Sequence, residues 1–306
     1  MGNQSILVIN SNDDGDILRG ICSELRIRIL QCLRDESLNV NDLSRLLGIP
    51  QSTVAINVQI LEKASLIRTE TVKAKKGSQK ICHGIYQEIV LQFPNSKKDE
   101  KNSIEVEMPI GLFTGFDVSP PCGMCSTESI IGFLDVPDEF LNPERMKAGL
   151  LWFEKGFVEY KFPNNSLYKG TPVRRLELSA ELSSEIPGTN PELQSDITLW
   201  VNDVEIGYWT SPGDFGDKRG KLTPSWWKLE GSQYGLLKQW SVTDEGSFVD
   251  GVQLSGVRLA DLKLQDHHSI RVRIGVKETA EHLGGINIFG KGFGNYDRNI
   301  LLRLYF

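Results

Sequence analysis

Cys122 and Cys125 in Cys122-Gly123-Met124-Cys125 have the spacing of a thiolate pair that holds zinc or cycles between dithiol and disulfide. Structural zinc needs four ligands, and no second closely spaced pair exists; Cys82-His83 joins only through a fold contact that the sequence does not predict. A redox dithiol needs the start of a helix in a βαβ unit, which the surrounding residues do not supply. The expectation is reduced thiols, with no metal and no cofactor. His267-His268 with His282 offers a metal or base set, but Asp266-His267-His268 reads more simply as a polar turn. The 26 acids after residue 108 allow the carboxylate pair of a glycosidase without selecting one. Lys291-Gly292-Phe293-Gly294 and Gly284-Gly285 do not sit at a strand-to-helix junction, where a phosphate loop belongs. No catalytic residue is assigned, and an enzyme is not expected.

A second chemistry is more coherent. Gln51, Ser52 and Thr53 stand at the start of a helical pattern, where side chains reach base edges and backbone amides reach phosphate; Asn57 and Gln59 continue the polar face. Lys73, Lys75, Lys76 and Lys80 follow without an intervening acid, a set that neutralises phosphates without discriminating sequence. The plainer reading of those lysines is a solvated hairpin.

The elements that must position these residues are legible. Ile17, Ile21, Leu25, Ile29, Leu30 and Leu33 recur at helical spacing, predicting two helices that break around Cys22-Ser23-Glu24. Asn39 or Asn41 caps a short helix carrying Leu43, Leu46 and Leu47, which stops at Gly48. Pro50 suits the first turn of the next helix, with Val54, Val58 and Leu61 on its apolar face. After Ser65 the period becomes that of a strand through Val72, with a second run from Ile81 to Phe93 and a Gly77-Ser78 turn between them. A helix-turn-helix followed by a basic hairpin is a winged helix.

Ser23-Glu24-Leu25-Arg26-Ile27-Arg28-Ile29-Leu30, then Val40-Asn41-Asp42-Leu43-Ser44-Arg45-Leu46-Leu47-Gly48-Ile49-Pro50-Gln51-Ser52-Thr53-Val54, then Leu61-Glu62-Lys63-Ala64-Ser65-Leu66-Ile67 resembles the ArsR-type winged-helix transcriptional repressors across roughly residues 17–93. The resemblance implies a homodimer on a double-stranded DNA operator, with the helix from Gln51 in the major groove and the hairpin tip on the flanking backbone or minor groove. Two departures stand out. Ile56 and Asn57 replace the basic or imidazole side chain that many relatives carry, which favours apolar contact with thymine methyls. Asp42–Leu47 lacks the cysteine pair of metal-sensing relatives.

Beyond residue 108 strand follows strand: 130–134, 150–153, 157–162, 176–182, 197–201, 204–209, 236–242, 270–276 and 300–305. Asn202-Asp203 is a two-residue hairpin turn. The fold class is multidomain α+β: an N-terminal winged helix-turn-helix over 1–93, a linker or connecting hairpin over 94–108, and a C-terminal all-β jelly-roll-like sandwich over 109–306. Its loops carry Trp209, Asp214, Trp226 and Trp227, which together would stack on and hydrogen-bond a sugar-like effector; the competing reading is that these tryptophans serve packing. The region also resembles, more loosely, the β-sandwich partner behind winged helices in some sugar-linked regulators. The alternative function is a carbohydrate-binding or carbohydrate-active protein whose winged helix makes protein contacts.

Charge supports the division. At roughly 150 residues per domain, 306 residues correspond to about two domains. The formal net charge of −6 argues against a nucleic-acid binder as long as the charge is evenly spread. Residues 17–92 carry 11 basic and 7 acidic side chains, whereas 109–306 carry 20 and 26. All six tryptophans follow residue 151, and Tyr86 is the single Phe, Tyr or Trp in 1–92. No signal peptide or 18-residue apolar run appears, so the expected compartment is the cytoplasm, with no membrane partner.

Overall fold

The computed structural model describes residues 6–10, 15–34, 36–73, 78–86, 88–92 and 102–306, and the chain divides into two units, Met1–Lys97 and Lys98–Phe306. The first unit contains β1 (Ile6–Asn10), α1 (Gly15–Ile21), α2 (Glu24–Cys32), β2 (Leu38–Asn39), α3 (Val40–Leu47), α4 (Gln51–Lys63), β3 (Ile67–Lys73), β4 (Ser78–Gly84) and β5 (Glu88–Gln92). Extended Ser23 separates α1 from α2. Asn39 caps α3, its Oδ1 accepting from the Asp42 amide at 2.9 Å, and Gly48 ends the helix at φ 68°, a left-handed angle that glycine adopts without a Cβ penalty. Pro50 lies one residue ahead of the first turn of α4, as its N-cap. The apolar faces meet in a core of Ile29, Leu43, Val54, Val58, Leu61, Leu66 and Cys82.

β3 and β4 form the antiparallel wing, and β2 pairs with the other edge of β4. The single strand expected from Ile81 to Phe93 is two strands. Gly84 passes so close to α2's end that a Cβ there would lie 2.5 Å from the Leu33 carbonyl oxygen, and after it the chain leaves the wing; β5 then pairs in parallel with β1, Ile6 opposite Glu88.

The second unit is antiparallel throughout: β6 (Ser103–Met108), β7 (Gly115–Cys125), β8 (Ile130–Ile131), β9 (Leu150–Pro163), β10 (Arg175–Ser183), β11 (Ser195–Val201), β12 (Val204–Ser211), β13 (Leu236–Val242), β14 (Ser247–Val249), β15 (Val252–Ser255), β16 (Ser269–Val276), β17 (Ile286–Phe289) and β18 (Ile300–Tyr305). One run of neighbours is β12-β11-β16-β9-β7, the other β6-β18-β10-β13-β14-β15, and β17 bridges β9 to β10. Between them lies one apolar cluster that includes Phe153, Tyr160, Leu178, Leu199, Trp240, Val272 and Leu302. This is a β-sandwich.

Several details correct the sequence reading. Residues 150–153 and 157–162 belong to one strand that runs through Gly156, whose φ of 101° and close approach to the Asp117 carbonyl exclude a Cβ. Residues 130–134 hold a two-residue strand. The end of the stretch read as a linker, β6, pairs along its length with β18, so the sandwich begins before residue 109. Asn202 and Asp203, at φ 50° and 67°, make the expected tight hairpin.

Candidate functional site

On α4 the buried stripe of Val54, Val58 and Leu61 turns the opposite face outward: Gln51, Ser52, Thr53, Ile56 and Gln59 are all exposed. Ile56 is 59% exposed, an apolar group held in the middle of a polar helix face. Asn57 is placed differently. It is half-buried, its Nδ2 donating to the Thr53 carbonyl at 2.9 Å while its Oδ1 accepts from Arg26 Nη1 at 3.5 Å. Arg26 also donates to the Gly20 and Arg19 carbonyls at 2.9 and 2.7 Å. Asn57 therefore joins α4 to α2 and the end of α1.

The four lysines are not equivalent. Lys80 Nζ lies 2.6 Å from Glu62 Oε2 at the C-terminal end of α4, and Glu62 also accepts from the Thr69 hydroxyl. Those two hydrogen bonds, the lysine's first, hold the Glu62 carboxyl below its usual pKa. Lys80 thus ties the wing to the helix. Lys73 ends β3; Lys75 and Lys76 lie outside the described residues.

In the sandwich, two of the four residues expected at a ligand, Trp226 and Trp227, line one depression, which Trp209 and Asp214 do not. Trp209 on β12 packs under Lys238, whose Nζ is 4.7 Å from the ring centroid. Trp226 is exposed, donating from Nε1 to the Thr127 carbonyl at 2.7 Å and lining a shallow depression with Ile130. Trp227 lies edge-on to Trp226, 5.6 Å away, and closes a cleft of about 260 Å³ against Trp152. Register explains the cleft. Trp152 on β9 stands opposite Asn287 on β17, and both point away from the main core, toward a smaller cluster of Cys125, Leu150, Phe289 and Phe293 that Trp227 covers. Gly123 on β7 leaves room for the indole: a Cβ there would lie 2.5 Å from Trp152 Cζ2.

The floor of the cleft is acidic. Glu185, just past β10, accepts from Ser232 Oγ at 3.1 Å, and Asn287 Nδ2 donates to Ser232 Oγ at 2.9 Å and to the Ser184 carbonyl at 2.6 Å. Asp214 lies behind them, fully buried, its Oδ2 accepting from the Ile186 amide at 3.4 Å. Burial, then the neighbouring Asp214, pushes Glu185 up to about 8; burial raises Asp214 to about 7. Trp152, Glu185, Ser232 and Asn287 were not singled out from the sequence. Their one local signal is Glu185 itself, a carboxylate at the end of a strand otherwise closed to water.

The cysteine motif separates. On a strand, positions three apart face opposite sides, and Cys122 lies in the main core while Cys125 lies in the smaller cluster. Both are free thiols; burial raises Cys122 to about 11 and Cys125 further, the inert end of thiol chemistry. His282 pairs with Asp196 at 3.2 Å, whereas Asn164 fastens the turn before His268 by donating to the Leu264 and His267 carbonyls at 2.6 and 2.8 Å.

A family model described as a helix-turn-helix domain matches residues 22–70. This segment is a helix-turn-helix domain. Similar solved structures include HlyU from Vibrio cholerae N16961, 26% identical, covering 22% of this chain and 71% of that one at a TM-score of 0.20, and reduced HlyU from the same strain, 26% identical, covering 22% and 68% at 0.21. A third is the CBM36-1 domain of a multidomain xylanase from the hindgut metagenome of Trinervitermes trinervoides, 8% identical, covering 66% of this chain and 96% of that one at 0.28. No curated protein matches the chain. Among the described residues, no helix is long and apolar enough to cross a membrane.

Proposed function

We propose that the chain is a DNA-binding transcriptional regulator of the ArsR type, a repressor that acts as a cytoplasmic homodimer, and that its β-sandwich senses a small-molecule effector of the carbohydrate class rather than catalysing a reaction. The observation that carries this reading is the outward face of α4. Gln51, Ser52, Thr53, Ile56 and Gln59 are exposed together on the second helix of a helix-turn-helix, where a recognition helix presents hydrogen-bonding groups to base edges and an apolar group to thymine methyls. Paired Lys80 fixes the root of the wing and leaves phosphate neutralisation to the tip lysines.

The effector role is supported by the Trp152–Trp227 cleft, with aromatic faces above and hydrogen-bonding groups below. Effector binding would change the spacing of the two recognition helices, a coupling typically worth about 1–3 kcal/mol. A gel-shift assay on the DNA upstream of the protein's own gene, at two salt concentrations, tests the reading. Preferential binding that weakens with salt is expected; binding without preference, or indifferent to salt, contradicts it.

A further inference from the structure

The ionisable side chains that line the cleft between Trp152 and Trp227 are all carboxyls. Its lining includes Asp135 and Glu185 and no lysine, arginine or histidine. Asn287 is fully buried and lines the cleft, yet its Oδ1 has no hydrogen-bond partner. Asn287 Nδ2 donates to the Ser184 carbonyl and to Ser232 Oγ, and Ser232 Oγ to Glu185. A buried acceptor without a donor costs free energy, so the complementary ligand brings N–H or O–H groups, and a lining of carboxyls without a basic residue favours a cation over an anion. The walls suit such a ligand. The Trp152 and Trp227 centroids are 5.7 Å apart at 57°, forming an aromatic corner able to hold a cation or the C–H face of a ring.

We propose that this cleft binds a small, hydroxyl-bearing primary ammonium compound, an amino sugar being the carbohydrate member of that class, with its ammonium against Glu185 and its apolar face on Trp227. The proposal rests on the reading of the cleft as the effector site and adds the chemistry that selects the effector. It also fixes a proton balance. The titratable groups facing Glu185 are Asp214, from the loop after β12, and Asp135, from the loop after β8; Ser232 and Asn287 supply neutral contacts. With Glu185 raised to about 8, its carboxyl holds a proton at pH 6.5. An arriving ammonium pairs with the carboxylate, and that proton leaves to solvent.

The test uses the full chain at about pH 6.5, below the raised values of Glu185 and Asp214. Tryptophan fluorescence is followed alongside titration calorimetry in two buffers of different ionisation heat. The probes are glucosamine, ethanolamine, glucose and glucuronate. Glucosamine is expected to bind at least roughly tenfold tighter than glucose, as a charge-assisted contact should, with net proton release, while glucuronate does not bind. Ethanolamine binding supports the proposal with the amine sufficient; glucosamine binding without it supports the proposal with the ring required. Glu185→Gln should erase the preference and the proton release while keeping the melting temperature, Asp214→Asn should reduce the release, and Trp227→Ala should remove the response to every probe. Equal binding of glucose and glucosamine, or binding of glucuronate, overturns the proposal; if Trp227→Ala abolishes that glucose signal, the effector-site reading survives alone. Silence from all four probes overturns both.

Discussion

The two units place their polar chemistry in opposite ways. In the helix-turn-helix, candidate contact residues are exposed, and their positions follow from an apolar stripe that turns them outward; Gln51, Ser52, Thr53 and Gln59 stand over a core they do not enter. In the sandwich, the candidate groups are sunk into the fold, and Glu185, Asp214 and Asn287 gain their character from burial and from each other. An exposed face is suited to a large charged partner whose affinity is gathered over many weak contacts. A buried acidic cleft is suited to one small ligand, since few strong contacts at low dielectric must suffice.

The comparison breaks most sharply by damaging one unit alone. Leu61 is fully buried in the helix-turn-helix core, and Leu61→Ala should cost that unit about 2–5 kcal/mol and abolish DNA binding. Because all six tryptophans lie in the sandwich, their fluorescence should not change; a shifted emission maximum would show that the two cores are not separate. Next in size is base selection. Gln51→Ala or Thr53→Ala should relax sequence choice by about 1–3 kcal/mol, read as a change in site preference, whereas Lys75→Ala and Lys76→Ala should weaken all duplexes alike, each lowering the salt slope by about 1.

A third test uses pH. Burial raises the pKa of Glu181 and Asp214 to about 7 and that of Glu185 to about 8, against ordinary unfolded values near 4. Between those limits the folded sandwich binds more protons than the unfolded chain, so the stability these groups confer is fully present below about pH 4 and declines as pH rises toward 8. The tryptophan-detected melting temperature should follow that trend, and Glu185→Gln should flatten it; a melting temperature that rises across this window contradicts the assignment. Smallest is Lys80→Ala. Its pair with Glu62 is more than a third exposed, worth about 0.2–1 kcal/mol, and its loss should leave the salt slope of DNA binding nearly unchanged.

How much was legible in the sequence divides along the same line. The helices of the first unit are local, and helical spacing with Asn39 and Gly48 as stops located them closely. Non-local pairing escaped: β5 joins β1 across the whole unit, which no run of residues from Ile81 to Phe93 announces. Strand β7 was missed because Pro120, Pro121 and Gly123 interrupt its alternation, and β6 because its charged residues fit an edge strand as well as a linker. The cleft depends on register, which sets Trp152 opposite Asn287, and on a loop that returns Asp214 behind Glu185. Register also separated Cys122 from Cys125, so a motif conspicuous in sequence became two unrelated core residues, and its Gly123 proved to be the position that admits the Trp152 ring. Trp209 shows the converse, a residue chosen by composition that packs elsewhere.

The most direct measurement of the central claim is selection of bound duplexes from a randomised DNA pool by the full chain at near-physiological salt. A homodimeric winged-helix regulator should enrich a palindrome whose half-sites lie about 10 base pairs apart or a multiple of that, and Gln51→Ala should degrade the enriched bases. Recovery of sequences without a common element, or enrichment untouched by Gln51→Ala, would contradict the account.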